Sequence, residues 1–274
     1  MTDASTRLPA AATTGAPRRG LLHRSLPVLL IAGFFLSWEV IQRATGYPPD
    51  FIAPLPSSVV VYTGLKFRLL MENLLVTVIE ATIGFVIGNV LAVGLAILSV
   101  FSKNVERAIM PFALAVRSIP IIAITPVLVF LLGMGLESKI AVAVIVSFFP
   151  TLVNMIVGLK TVDRRLLELL FVFNASKWET LVRVRLPSSM PSFFAAMKIA
   201  VPSAFLGAAV AEWINASSGI GYLIIVSTYQ FNTVMLYSTM LISTLVSGLA
   251  YFAVGRLEGV LVPWQKHLTE HLEE

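Results

Sequence analysis

The chain contains no cysteine, few charges and almost no histidine. Without cysteine it has no disulfide and no thiolate metal ligand. Its three histidines, His23, His267 and His271, lie near the two ends, so no His cluster is available for a metal or a catalytic triad, and no metal site is expected. The phosphate-cradling pattern G-x-x-x-x-G-K-[ST] is absent, so the chain has no nucleotide-binding loop of that kind. Charged residues make up 13% of the 274 residues, against roughly 25% in ordinary soluble domains.

What is present is apolar: 57% of the residues are hydrophobic, and the mean hydropathy is +0.87. Such a chain cannot cover a globular surface with polar groups, so the lipid bilayer is its expected solvent. Six apolar stretches, at about 26–43, 74–100, 111–132, 139–159, 190–212 and 234–255, reach the roughly 20 residues that span the hydrocarbon layer. Each is expected to be helical, because lipid offers the backbone no hydrogen-bond partner. A signal peptide is the alternative for the first. The lack of a small-residue cleavage site and the presence of Trp38 and Glu39 inside the run speak against it.

The net charge of +5 is a matter of placement rather than of nucleic-acid binding, which is not expected. With the N-terminus inside, fourteen Lys and Arg residues fall on inner segments: Arg7, Arg18, Arg19 and Arg24; Lys103 and Arg107; Lys160, Arg164, Arg165, Lys177, Arg183 and Arg185; Arg256 and Lys266. Only Arg43, Lys66, Arg68 and Lys139 fall outside, while Arg117 and Lys198 lie within spans. Cationic residues accumulate on the cytoplasmic side, so both termini are expected there. The expected organisation is a disordered tail over 1–25, a first helix and outer segment over 26–72, a five-helix core over 73–264 and a tail over 265–274. Ser57 is expected to cap a short surface helix running toward Leu70.

The inner segment Glu168–Pro187, ELLFVFNASKWETLVRVRLP, is the most informative part of the chain. Ser176 and Glu179 have the spacing of a helix-opening capping box. Asn174 precedes them, and Asn tolerates a left-handed turn better than other non-glycine residues. Pro187 predicts a helix stop near Leu186. The reading is helix, sharp turn, short helix: a shaped element on a membrane surface.

This segment resembles the coupling loop of ABC importer permeases, with signature E-A-A-x-x-x-G-A…L-P. Glu168 stands at the motif's Glu, Asn174-Ala175 at its Gly-Ala pair, and Leu186-Pro187 close it in register. Leu169, Leu170 and Asn174 depart from the two alanines and the glycine. Arg117-Ser118-Ile119-Pro120 with Thr125-Pro126, then Ala211-Glu212-Trp213 and Ala216–Leu223, are similar to the nitrate/sulfonate/taurine branch, as are Trp38-Glu39 and Pro56-Ser57. The resemblance covers about residues 36–264.

It implies an all-α membrane protein with six transmembrane helices and a cytoplasmic coupling helix, the type I ABC importer permease fold, in a bacterial plasma membrane. It also implies a second copy or a close homologous permease, two cytoplasmic ATPase subunits and an extracytoplasmic solute-binding protein. ATP and Mg would sit on the ATPase, with no cofactor in this chain. Glu168, Asn174, Ala175, Ser176, Lys177, Trp178, Glu179, Leu186 and Pro187 would then couple to that ATPase.

Candidate pathway or gate residues are Glu80, Arg117, Ser118, Pro120, Glu212, Asn215, Ser217, Ser218 and Gly219. Intramembrane charges are functional candidates, although Glu80 could equally pair with another helix. At that position relatives usually carry a basic residue. Lys198 and Arg117 are read chiefly as snorkelling toward the inner interface. Glu212 is read at the outer end of the fifth span, either as an interfacial turn or as a gate residue bonded to hydroxyl or N–H groups of residues 215–221. Pro120, Pro126 and Pro202 are expected to loosen the third and fifth helices, which are the expected path. Gly84, Gly88 and Gly94 are read as packing sites. The expected function is that of a non-catalytic permease subunit for a small anion of the sulfonate, taurine or nitrate class. The alternative substrate is a neutral heterocycle, such as a thiamine-pyrimidine or riboflavin precursor. A secondary transporter or membrane scaffold is the reading from other classes. No inverted repeat and no catalytic set of side chains is evident in the spans to support either.

Overall fold

The computed structural model describes residues 21–264, with side chains from residue 26 onward except those of Pro27 and Asn215. The two segments read as tails, residues 1–20 and 265–274, lie outside this range. All regular elements among the described residues are helical. The chain divides into two units between Pro49 and Asp50.

The first unit is the helix α1 (Leu21–Thr45), which begins five residues before the expected span. Trp38 stacks on Phe35 and meets Phe34 edge-on, and Arg43 pairs with Glu39 one turn away. Its large apolar side chains, among them Leu30, Phe34 and Leu36, are exposed, as a lipid-facing helix requires.

The second unit opens with α2 (Pro56–Leu65). Pro56 occupies its first turn, where the missing N–H costs nothing. The N-cap is Leu55 without a side-chain cap, so Ser57 lies inside the first turn rather than capping it. The helix α3 (Phe67–Phe101) follows after Lys66 alone, and Ser102 alone separates it from α4 (Lys103–Ser118). The stretch between the second and third expected spans is therefore helical, with the Ser102 hydroxyl accepting from the Val105 N–H.

The third expected span is not continuous. It consists of α4 and α5 (Ile121–Leu132), bent by 100° at Ile119–Pro120. The ring of Pro120 excludes the preceding residue from the helical region, and Ile119 is accordingly extended at φ −78°, ψ 127°. By contrast, Pro126 and Pro202 sit inside continuous helices.

Next come α6 (Leu136–Lys160), α7 (Arg164–Val172), α8 (Lys177–Thr180), a π-turn (Leu181–Arg185), α9 (Leu186–Asn215), α10 (Ile220–Tyr229) and α11 (Thr233–Leu261). From α8 through the π-turn into α9 the helix is unbroken. Pro187 therefore does not stop a helix. It occupies the first turn of α9, and the backbone in front of it widens so that the Leu186 N–H reaches back to the Leu181 carbonyl. Among the described residues five helices are long and apolar enough to cross a membrane, six if the bent pair counts as one span.

The core of this unit is α6, packed between α3 and α9. Small residues let the backbones approach. A Cβ at Gly84 would collide with that of Ala143, and one at Gly88 would stand 2.5 Å from Ser147 Oγ. Along the same seam the Thr151 hydroxyl donates to Asn89 Oδ1 at 2.7 Å. These pairs advance together in sequence, so α3 and α6 run parallel. On the other side Gly158 meets Ser192 and Gly207 meets Val146. Those pairs advance in opposite senses, so α9 is antiparallel to α6. Gly94 has nothing within 4 Å of a modest side chain, so the expected packing role does not apply there. Large apolar residues such as Val90, Phe130 and Leu249 face outward.

Candidate functional site

The parallel and antiparallel packing gathers functional candidates at two opposite ends of the bundle. At one end, the C-termini of α3 and α6 meet the turn after α7. Asp163 opens α7 by accepting from the Arg165 N–H, and Glu168 pairs with Arg164 on an exposed face. The helix closes with two backbone bonds: Asn174 N–H to the Phe171 carbonyl and Ala175 N–H to the Leu170 carbonyl, each 3.0 Å. This paired closure needs a left-handed residue, and Asn174 supplies it at φ 55°. The capping box forms. Ser176 Oγ accepts from the Glu179 N–H at 3.1 Å, and the Ser176 N–H donates to Glu179 Oε2 at 2.9 Å. That N–H, with the serine hydroxyl, holds the Glu179 carboxyl below the usual carboxylate range.

Two contacts that the sequence analysis did not include attach this turn to the bundle. Trp178 stacks on Phe101 at the end of α3, with ring centroids 6.4 Å apart. Arg185 Nη1 donates to the Leu159 carbonyl at 2.7 Å and so caps the C-terminus of α6. Fully buried Leu181 anchors the π-turn. Arginines near a helix end are too common to single out Arg185 from sequence, and the Phe101 stack joins residues far apart in the chain. A groove of about 280 Å³ runs beneath the turn, lined by Phe101, Phe171, Ala175, Lys177, Thr180 and Arg185. Phe171, Val172 and Phe173 are exposed in succession, an apolar patch of the kind that marks an interaction surface. Leu186 and Pro187 lie farther along, at the start of α9.

The break in the third span opens a second feature, a cavity of about 370 Å³. Arg117, Ser118 and Pro120 line it from the break, facing Phe149 and Pro150 of α6 and Ser203 of α9. Arg117 lies in the last turn of α4, where a cation complements the helix dipole. Besides spans three and five, which were expected to line a path, span four contributes a wall of this cavity. Lys198 belongs elsewhere: it forms an ion pair with Glu258 of α11, because α11 packs along α9 and brings a carboxylate to it.

At the opposite end, Asn73, Thr77 and Glu80 share one face of α3, and the first two meet the start of α10. Asn73 Oδ1 accepts from the Gly219 N–H at 2.8 Å, and Thr77 Oγ1 accepts from the Ile220 N–H at 2.8 Å. Glu212 completes the set: Oε2 accepts from the Gly221 N–H at 2.7 Å, and Oε1 accepts from the Thr77 hydroxyl at 2.6 Å. Three successive amides that open a helix are thereby satisfied by side chains. Gly219, at φ 111°, lies against the Glu212 carboxylate, and a Cβ there would run into it.

Glu212 is 1% exposed, so it is a buried residue of the bundle rather than an interfacial one. Glu80, 0% exposed, pairs with Lys139 of α6, Nζ to Oε1 3.2 Å. This is the helix-pairing alternative, and it takes Lys139 out of the outer loop. Ser217 is exposed and Ser218 half-buried, and neither takes part in this network. The candidate pathway residues therefore separate. Arg117, Ser118 and Pro120 line the cavity, whereas Glu80, Glu212 and Gly219 belong to the buried cluster.

Residues 84–267 match the family described as binding-protein-dependent transport system inner membrane component. The chain is 35% identical over 241 residues to the formylaminopyrimidine transport permease protein ThiX of Halalkalibacterium halodurans, across 88% of this chain and 96% of that protein. It is 30% identical to the riboflavin transport system permease protein RibX of Chloroflexus aurantiacus, across 88% and 90%. Identity to the putative aliphatic sulfonates transport permease protein SsuC of Bacillus subtilis is 29%, across 90% and 87%. A chain of the inward-facing MetNI methionine ABC transporter shares the fold, with a TM-score of 0.60 at 20% identity, across 73% of this chain and 97% of that one.

Proposed function

This chain belongs to the family of binding-protein-dependent transport inner membrane components, and from that membership we propose how its parts work. It is the permease component of an ABC importer, a multi-pass inner-membrane protein that catalyses no reaction and carries no cofactor. In our reading both termini and the turn 168–187 face the cytoplasm. Two copies, or one copy and a close homologue, surround the path. Two ATPase subunits bind from the cytoplasm, and a solute-binding protein delivers substrate from outside.

The observation that carries this reading is the built turn. A helix closed at Asn174, a capping box at Ser176 and Glu179, and an exposed run of Phe171, Val172 and Phe173 together present a rigid apolar knob. Trp178 and Arg185 tie that knob to the ends of α3 and α6. Closure of an ATPase dimer would move the knob, and the knob would move the helices that wall the cavity.

The solute in this reading is a small heterocycle of the aminopyrimidine class. The cavity walls are aliphatic and aromatic, with two serines and one arginine among them, a mixture that suits a flat ring with a few polar edges. The formylaminopyrimidine permease shares more identity with this chain than the sulfonate permease does. Arg117 supports a second reading, a small sulfonate, since a guanidinium pairs with an oxyanion.

Uptake into proteoliposomes containing the permease, its ATPase and its binding protein tests both. The expected result is ATP-dependent uptake of labelled formylaminopyrimidine that excess alkanesulfonate does not compete away. Sulfonate uptake without pyrimidine uptake would replace the first solute by the second. Uptake without ATP would refute the importer mechanism.

A further inference from the structure

The buried cluster contains a group that the hydrogen bonds to α10 do not use. Glu80 adjoins Glu212. It lies one turn beyond Thr77, whose hydroxyl donates to that same Glu212. No N–H or O–H of the described residues hydrogen-bonds to either Glu80 oxygen. Its cationic partner is the ammonium of Lys139.

Lys139 is itself out of place by local rules. It is 9% exposed and sits in the first turn of α6, where the helix dipole disfavours a cation. Neither charge is stable there alone, because an uncompensated buried charge is strongly unfavourable. The pair is held by its own attraction, next to a second carboxyl, Glu212, that fastens α10.

We propose that Glu80 and Lys139 are positioning residues for the Glu212 latch. This rests on reading the α9–α10 corner as the outer gate of the permease. Lys139 balances Glu80, so that Glu212 can lie against a second carboxyl and keep its bonds to Thr77 and Gly221. Without the ammonium, the two carboxylates repel and Glu212 is pushed off the start of α10. Without Glu80, the unbalanced ammonium draws Glu212 away from those same donors. The latch thereby links the N-terminus of α6, which walls the cavity farther along, to the corner that would open outward.

The test uses the absence of native cysteine. Ser218→Cys places a single reporter beside Gly219, at a half-buried position. Its maleimide labelling rate is measured on the purified permease in lipid nanodiscs, in the backgrounds Lys139→Met, Glu80→Gln and Glu80→Gln with Lys139→Met. Each single change should raise the rate about ten-fold or more, since each strands a buried charge. The double change strands none and should return the rate to within about two-fold of the parent, the coupling expected of residues that act as a pair.

Parental labelling in both single variants would overturn the proposal. So would a double variant that labels as fast as the singles. If Lys139→Met fails to give a monodisperse protein, Glu80→Gln against the double variant decides the same question. The readout needs neither ATPase nor substrate, so failed uptake bears on the transport reading, and unchanged labelling bears on this one.

Discussion

Replacing Gly219 by alanine should destabilise the bundle, while the same replacement at Gly94 should not. Gly219 holds φ 111° and ψ 171°, a region that side chains with a Cβ essentially do not enter. Forcing alanine into it costs about 1–3 kcal/mol. The new methyl group would also run into the Glu212 carboxylate. Relieving that clash loosens the Gly219 N–H bond to Asn73 and the Gly221 N–H bond to Glu212. A net loss of about 0.5–1.5 kcal/mol for each bond follows. The contributions are coupled, so the expected total is about 3–5 kcal/mol.

Gly94 is helical, with open space around a would-be Cβ, and alanine there should stabilise α3 by about 0.5–1 kcal/mol. The assay is the folded fraction, measured by size exclusion after a temperature ladder, with both variants and the parent in one membrane mimetic. Gly219→Ala should melt several degrees below the parent, and Gly94→Ala at or above it. A Gly219→Ala protein that melts with the parent would refute the latch geometry at that corner.

Ser176→Ala removes the acceptor at the start of α8 and should cost about 1 kcal/mol locally; unchanged ATPase co-purification under graded salt would count against a role in docking. The Glu179 carboxyl is held below its usual range, so its bonds to Ser176 strengthen the turn at neutral pH and weaken as pH falls through that lowered value. Amide exchange at the turn, followed into the acid range, should show protection lost there and not near neutrality. Glu168→Ala and Ala175→Asp should abolish uptake with the protein still in the membrane, and normal uptake by both would sink the coupling assignment. Cysteines at Ser176 and Ser217, exposed at opposite ends of the bundle, should label only from the cytoplasm and only from outside, respectively; the reverse pattern would invert the topology.

Much of this protein was legible in its sequence, for local reasons. Apolar runs long enough to cross a bilayer must be helices, because their backbone has no other partner. The turn at Asn174–Glu179 could be read because a left-handed residue and a capping box act within a few residues of one another. Pro120 likewise marked a weak point, since a proline restricts its immediate predecessor. Its consequence was not readable, because a loosened helix and a 100° bend share the same local cause. Pro187 carried an ambiguous signal: proline stops a helix or is accommodated where the helix widens, and the π-turn at Leu181–Arg185 decided for the second.

What only the tertiary structure decided concerns partners far apart in the chain. Glu80 and Lys139 are single charges in separate spans, and nothing local distinguishes a snorkelling residue from a buried pair. Glu212 beside Trp213 has the pattern of an interfacial residue, yet it is buried against Thr77 and the Gly221 amide of α10. The cavity at Arg117 needed α6 and α9 to close it. The physical reason is common to all three. Backbone preferences act over one helical turn and are written in adjacent residues, whereas a buried charge is decided by whichever helix packs against it.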